Sequence, residues 1–212
     1  MIVSIYDFDG TVYKGDSSKD YCIYCMIKNP LKIFIALVFI TIYVLYLLRI
    51  VEKELAKSWL FRCMDDSEKT VEEFWRLKRK KIISTVESMI REDNNKGEKV
   101  LIITASPQFL INGFVKEVCP YVNVIGTLTK PQAPWVLKSQ NCFGDEKVLR
   151  FLKWKDQYLR QHNTLIVSKI VSDSVHDLPL YQLGGTPYHV NTKSCTVYPG
   201  IIKNNKEHGE LK

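Results

Sequence analysis

The chain has no internal repeat and no low-complexity tract, and from about residue 13 to residue 89 it has almost no turn residues. The first two absences exclude a solenoid or repeat array and a disordered linker, and the third marks a long helical stretch. The start, Met1-Ile2-Val3-Ser4-Ile5-Tyr6-Asp7, lacks the basic, apolar and small-residue regions of a secretory signal, so the soluble part is expected to face the cytoplasm. Six cysteines are scattered along the chain, and free, mostly buried thiols are the reading that fits a reducing compartment. Cys22 and Cys25 form a C-x-x-C, but no second cysteine or histidine pair follows at zinc spacing, which argues against a structural zinc.

A length of 212 residues suits one domain with an insertion. Thirty Lys and Arg against twenty-three Asp and Glu leave a formal charge of +7, which suits phosphate, an anionic membrane or nucleic acid equally. Three apolar runs read as buried parallel strands ending in polar residues: Ile2–Tyr6 before Asp7, Val100–Ile103 before Thr104, and Thr164–Val171 before Ser172. Helical patterns lie between them at Pro107–Val118 and Asp145–Tyr158, so a doubly wound α/β sheet is expected, with ligands at the carboxyl ends of the strands. The helical stretch then becomes an insertion over residues 13–89, with residues 1–12 and 90–212 forming the α/β core. The tail from Lys203 to Lys212 reads as a polar, frayed end.

Asp7-Phe8-Asp9-Gly10-Thr11 places two carboxylates two residues apart at the end of the first strand. Carboxylates that close repel, and a divalent cation with a bound phosphate is an economical reason to tolerate them. Alone, the string also reads as a helix cap and a turn. Its company is more informative: the hydroxyls of Thr104 and Ser106 after the second strand, Lys147 at the start of a helix, and Asp173 and Asp177 after the third strand. Thr104 or Ser106 also suits a helix cap, and Lys147 a solvated helix face, but their order at three strand ends is harder to dismiss.

That order resembles the four motifs of the haloacid dehalogenase superfamily of phosphatases. The insertion is similar to the helical cap of its phosphoserine phosphatase-like subfamily. A closer resemblance is to the bacterial C-type phosphatidylglycerophosphate phosphatases, in the strings Ile103-Thr104-Ala105-Ser106-Pro107-Gln108, Gly144-Asp145-Glu146-Lys147-Val148 and Ser172-Asp173-Ser174-Val175-His176-Asp177. The resemblance implies a Rossmann-like core with an all-helical cap, and a set of roles. Asp7 is the implied nucleophile, and Asp9 the acid that protonates the leaving group and then the base that activates water. Mg2+ is implied between the Asp7 carboxylate, the Asp9 main-chain carbonyl and Asp173. Thr104 and Lys147 would hold the phosphoryl oxygens, Asp177 would orient Lys147 or a metal-bound water, and Thr11 and Ser106 would support the site.

Ile33–Leu48 carries no charge over sixteen residues and is flanked by Lys28, Lys32, Arg49 and Lys53. As a helix it spans about 24 Å, short of the ~30 Å hydrocarbon core. A single crossing would also separate Asp7 from Thr104, and Leu55–Met64, with Lys57 and Arg62 inside it, is too polar to return through the bilayer. An in-plane or shallow re-entrant helix is expected, anchored by Tyr43 and Tyr46; a buried core helix of a soluble cap is the alternative. Lys57 and the run Lys78-Arg79-Lys80-Lys81 would add attraction to anionic lipid if they face it. The expected protein is a peripheral or monotopic phosphatase of a lipid phosphate at the cytoplasmic face of the cell membrane. A phosphatase of a soluble phosphomonoester such as phosphoserine is the enzyme alternative, and a headgroup-binding membrane adaptor the non-enzyme one. Nucleic-acid binding is not expected, because the basic residues surround the apolar segment without interleaved aromatics. Head group, acyl chains and oligomeric state are not written in the sequence.

Overall fold

The computed structural model describes residues 1–130, 133–137, 141–159 and 164–200, so the expected frayed tail lies outside the described residues. Strand β1 (Ile2–Tyr6) leads into helices α1 (Ser17–Lys28), α2 (Ile33–Leu47), α3 (Lys53–Arg62), α4 (Glu68–Lys78) and α5 (Ser84–Asn95). There follow β2 (Lys99–Pro107), α6 (Gln108–Val118), β3 (Asn123–Thr127), β4 (Thr129–Lys130), β5 (Ala133–Leu137) and α7 (Asp145–Leu159). The described chain closes with β6 (Ile166–Ser172), the short α8 (Leu178–Tyr181), β7 (Thr186–Asn191) and β8 (Thr196–Pro199).

Six strands form one sheet in the order β3-β2-β1-β6-β7-β8. The sheet is parallel from β3 to β7, as expected of a doubly wound α/β sheet, and β8 adds an edge strand antiparallel to β7. The cause is local: only residues 192–195 separate the two strands, enough for a hairpin and too few for a crossover. A separate two-stranded hairpin, β4 with β5, was also not expected.

Side chains alternate along the central strands and build a core on each face of the sheet. Val3, Ile5, Leu101, Ile103 and Ile170 pack on one side with Phe151 of α7 and Leu180 of α8. Tyr6, Val100, Ile102 and Val171 pack on the other with residues of α4, α5 and α6. This two-step period of a strand gives the doubly wound arrangement its physical basis. On the second face, Trp75 of α4 packs edge-on against Phe114 of α6 at 5.3 Å, and its indole N–H donates to the Leu110 carbonyl at 2.7 Å. Gly113 lets the two helices approach, since a Cβ there would meet Val71 Cγ1 at 2.2 Å.

Helix α2 is different. None of its residues is buried, although the eighteen residues Pro30–Leu47 have a mean hydropathy of 2.2. By length and composition, that is enough to cross a membrane.

Candidate active site

β1 lies at the point where the strand order reverses, with β2 on one side and β6 on the other. A crevice opens at such a switch point beyond the carboxyl ends of the strands. Register fixes what lines it: Tyr6 pairs with Ile102 and with Val171, so Asp7, Thr104 and Asp173 come to the same edge of the sheet. They line a cavity of about 250 Å3 together with Asp9, Lys147, Asp177 and His176.

Between the two leading carboxylates, Phe8 is fully buried against Phe114 at 5.0 Å and Trp75 at 5.7 Å. With Phe8 anchored in the core, its neighbours Asp7 and Asp9 emerge into the crevice. The chain then turns tightly, with the Gly10 amide donating to the Tyr13 carbonyl at 2.8 Å. Gly10 has φ +81°, and a Cβ there would lie 2.0 Å from Asp173 Oδ2, so only glycine lets the turn pass this carboxylate.

Lys147, three residues into α7, is buried between two carboxylates, with Nζ 2.7 Å from Asp7 Oδ1 and 2.7 Å from Asp177 Oδ1. Burial pushes the ammonium toward its neutral form, but Asp7 and Asp177 more than reverse this, and its pKa stands above the usual lysine range. Asp177 is itself fixed by Ser172 Oγ, which donates to Oδ2 at 2.7 Å. Asp173 is gripped by Thr11, whose Oγ1 accepts from the Asp173 amide at 3.0 Å and donates to Oδ1 at 3.2 Å.

Thr104 and Ser106 divide between the two leading aspartates. Thr104 lines the cavity with Asp7 and Lys147, and its Oγ1 accepts from the Ser106 amide at 3.1 Å. Ser106 Oγ instead donates to Asp9 Oδ2 at 2.5 Å. The other Asp9 oxygen accepts from the Ser17 amide at 2.7 Å, at the N-terminus of α1, where Asp16 caps the helix by accepting from the Lys19 amide. Burial and the nearby Asp16 carboxylate raise the Asp9 pKa to about 6, against the pull of Ser106 and Ser17.

The crevice is short of positive charge. Five aspartates and a single lysine line it. Burial and the Asp177 and Asp173 carboxylates push Asp7 up to about 8 despite Lys147, and burial raises Asp173 as well. Among the described residues no three His, Cys, Asp or Glu side chains converge as an all-protein metal cage. Hard oxygen donors with uncompensated charge nevertheless suit Mg2+, which is commonly held by one or two carboxylates and completed by water and phosphate. Asp7 and Asp173 fit that role. The Asp9 carboxylate is turned toward Ser17 and Ser106, leaving its main-chain carbonyl as the donor this residue would offer.

Sequence reasoning missed several supporting groups. Ser17 and Ser18 meet Ser106 through their hydroxyls at 3.1 and 2.6 Å, building a polar wall beside Asp9. Their signal was Asp16-Ser17-Ser18 ahead of a helical run, a helix start whose free amides suit a carboxylate. Thr192 Oγ1 donates to the Gly10 carbonyl at 2.6 Å and lies 3.4 Å from Asp173 Oδ2; nothing in the sequence ties it to the first motif.

Among curated proteins none matches the sequence. Solved structures do match the fold. A protein of unknown function from Bordetella pertussis Tohama I superposes with a TM-score of 0.71 at 19% identity, covering 88% of each chain. A phosphoserine phosphohydrolase-like protein from Francisella tularensis gives 0.55 at 18% identity, covering 87% of this chain and 83% of its own. A substrate-bound phosphoserine phosphatase gives 0.52 at 12% identity with the same coverage. At such identities these likenesses speak for the fold alone. The family profile of haloacid dehalogenase-like hydrolase matches residues 5–182, from the end of β1 past Asp177, and the chain belongs to that family of hydrolases.

Proposed function

We propose that the chain is a Mg2+-dependent phosphomonoester phosphatase working through an aspartyl-phosphate on Asp7, and that its substrate is a lipid phosphate, phosphatidylglycerophosphate, met at the cytoplasmic membrane face. The observation that carries the chemistry is the Asp7-Lys147-Asp177 chain, which holds one oxygen of a buried carboxylate at a crevice mouth. Asp7 Oδ2, outside that contact, attacks phosphorus, and the bond from phosphorus to the alkoxide oxygen breaks. Asp9, whose pKa of about 6 suits a proton carrier near neutrality, gives its proton to that oxygen. Water then attacks phosphorus of the acyl phosphate and passes a proton to Asp9, and inorganic phosphate leaves with Asp7 restored. Lys147 and Thr104 hold the equatorial oxygens throughout. A bound Mg2+ would supply the positive charge that keeps Asp7 ionised beside an incoming phosphate.

The lipid part of the reading rests on α2, an uncharged helix with no buried residue flanked by Lys28, Lys32 and Arg49. Exposing so large an apolar surface to water is unfavourable, and a bilayer interface is the surroundings it fits. A soluble phosphomonoester is the second reading, favoured by the likeness to phosphoserine phosphatases. An adaptor without activity is disfavoured, since Asp7, Asp9 and Asp173 are all present. The test is phosphate release from phosphatidylglycerophosphate in vesicles, phosphoserine and an aryl phosphate, each with Mg2+ and with chelator. Release from the vesicles, lost in chelator and restored by Mg2+, is expected. Full activity in chelator would contradict the metal, and a preference for phosphoserine over every lipid would establish the second reading.

A further inference from the structure

The turn after Asp9 is held by a part of the chain that carries no motif. β7 runs parallel to β6 with His189 beside Ser172, so a few residues further on Thr192 reaches the edge where Asp173 stands. The short turn that carries it, residues 192–195, is itself tied down. Asn191 Oδ1 accepts from the Lys193 and Ser194 amides at 3.1 and 3.2 Å, and the Cys195 carbonyl accepts from Thr85 Oγ1, at the start of α5, at 2.9 Å. What Thr192 meets is a glycine. Gly10, at φ +81°, has no side chain with which to fix its backbone, and glycine has more conformational freedom to lose than any other residue. Its amide donates to the Tyr13 and Gly15 carbonyls at 2.8 and 3.1 Å, which holds the peptide that carries the Asp9 carbonyl. Its own carbonyl is held by Thr192 Oγ1 at 2.6 Å. The same hydroxyl lies 3.4 Å from Asp173 Oδ2, the carboxylate oxygen that Thr11 does not bond.

We propose that Thr192 is a positioning residue for the metal site: by bridging the Gly10 carbonyl and Asp173, it sets the spacing of the Asp9 main-chain carbonyl and the Asp173 carboxylate. The inference rests on the Mg2+ of the reading above, for which these two groups are donors. Mg2+ accepts little departure from octahedral geometry, so a site with few protein donors depends on how they are spaced. Removing a group that orients a metal's ligands typically costs about tenfold to a hundredfold in affinity. The hydroxyl of Thr192 stands where such a group acts, between a ligand carboxylate and the backbone that follows a ligand carbonyl. A role in holding the β7–β8 turn alone predicts something different, a loss of stability with metal affinity kept.

The test reads metal binding directly, so that turnover does not enter. Mn2+, which takes the same oxygen donors, is titrated into chelator-stripped protein with inorganic phosphate present, and the free ion is counted by its electron paramagnetic resonance signal. Thr192→Val keeps the shape of the side chain and removes the hydroxyl; it should raise the Mn2+ dissociation constant by about tenfold or more. Thr192→Ser, which restores a hydroxyl, should bind close to wild type. Ser194→Ala, whose hydroxyl meets Thr196 at 2.6 Å on the same turn, should bind as wild type does. Metal-free melting followed by circular dichroism shows which variants are folded, and Thr192→Ala is read in place of Thr192→Val if the latter is not. Unchanged affinity in the folded variant overturns the positioning role and leaves the phosphatase reading standing. Equal weakening in Ser194→Ala, no rescue by serine, or failure of both Thr192→Val and Thr192→Ala to fold would assign Thr192 to the fold and overturn it too. If wild type binds no Mn2+, the metal of the proposed function and this inference fall together.

Discussion

Phe8 sets the division of labour at the residue scale. Buried among aromatics between two acids, it delivers Asp7 to Lys147 and Asp9 to the start of α1. Asp9→Asn cannot give up a proton, so release of an alkyl phosphate should fall by more than about a hundredfold. An aryl phosphate, whose leaving group needs no proton, should still show a burst of its phenol; no burst would remove Asp9 from the acid role. Gly10→Ala should raise the Mg2+ concentration needed for half-maximal activity, because the added methyl would have to push Asp173 aside and its backbone sits at φ +81°. An unchanged Mg2+ titration would show that Asp173 does not serve the metal. Asp7, Asp173 and Lys147 could be picked out as candidates because each sits just after a strand or at a helix start, and Thr104 and Ser106 because hydroxyls break the apolar run near the end of β2. Ser17 was half legible as a helix start, and Thr192 was not, since its link to Gly10 spans almost the whole chain.

At the scale of elements, the three most buried strands carried a continuous apolar signal and were read from it. Thr186–Asn191 and Thr196–Pro199 carry proline, histidine, asparagine and tyrosine with little alternation, and their pairing became visible only in the sheet. Equally hidden was that Phe39, Tyr43 and Tyr46 of α2 line a cleft of about 330 Å3 beside Asp9, because a helix apolar all round gives no periodic signal. Helix α5 offers a test of how the helices between β1 and β2 are held. Its Glu87 is largely buried and accepts from Arg79 at 2.7 Å and Arg91 at 2.8 Å. Burial alone would raise its pKa, but the two arginines outweigh it and the net shift is downward. A depressed carboxylate contributes stability above its unfolded pKa, about 4.3, and loses that contribution as pH falls through the folded value. Glu87→Gln should therefore lower stability at pH 7 by about 0.5–1 kcal/mol, since both arginines are half exposed and screened. In urea titrations the gap from wild type should close in acid, and a gap that widens there would refute the assignment.

For the whole molecule, the sheet edge that gathers the acids and the apolar α2 meet at one place, the cleft beside Asp9. Replacing Leu37 by Glu and Ile40 by Lys puts charge on the open side of α2, away from the cleft. The double variant should stay in the supernatant when wild type sediments with anionic vesicles, and should lose activity on a vesicle-bound lipid far more than on a soluble aryl phosphate. Equal co-sedimentation of the two proteins would remove the membrane from the account. The central claim, covalent catalysis by Asp7, has a more direct test. Wild type is mixed with excess aryl phosphate and Mg2+, quenched in acid within the first turnovers, digested and analysed by mass spectrometry, with Asp7→Asn treated alongside. The account predicts one added phosphoryl group on Asp7 in wild type, none in the variant, and a loss of turnover beyond about a hundredfold in that variant. A phosphoryl group on another residue, or rapid turnover by Asp7→Asn, would contradict it.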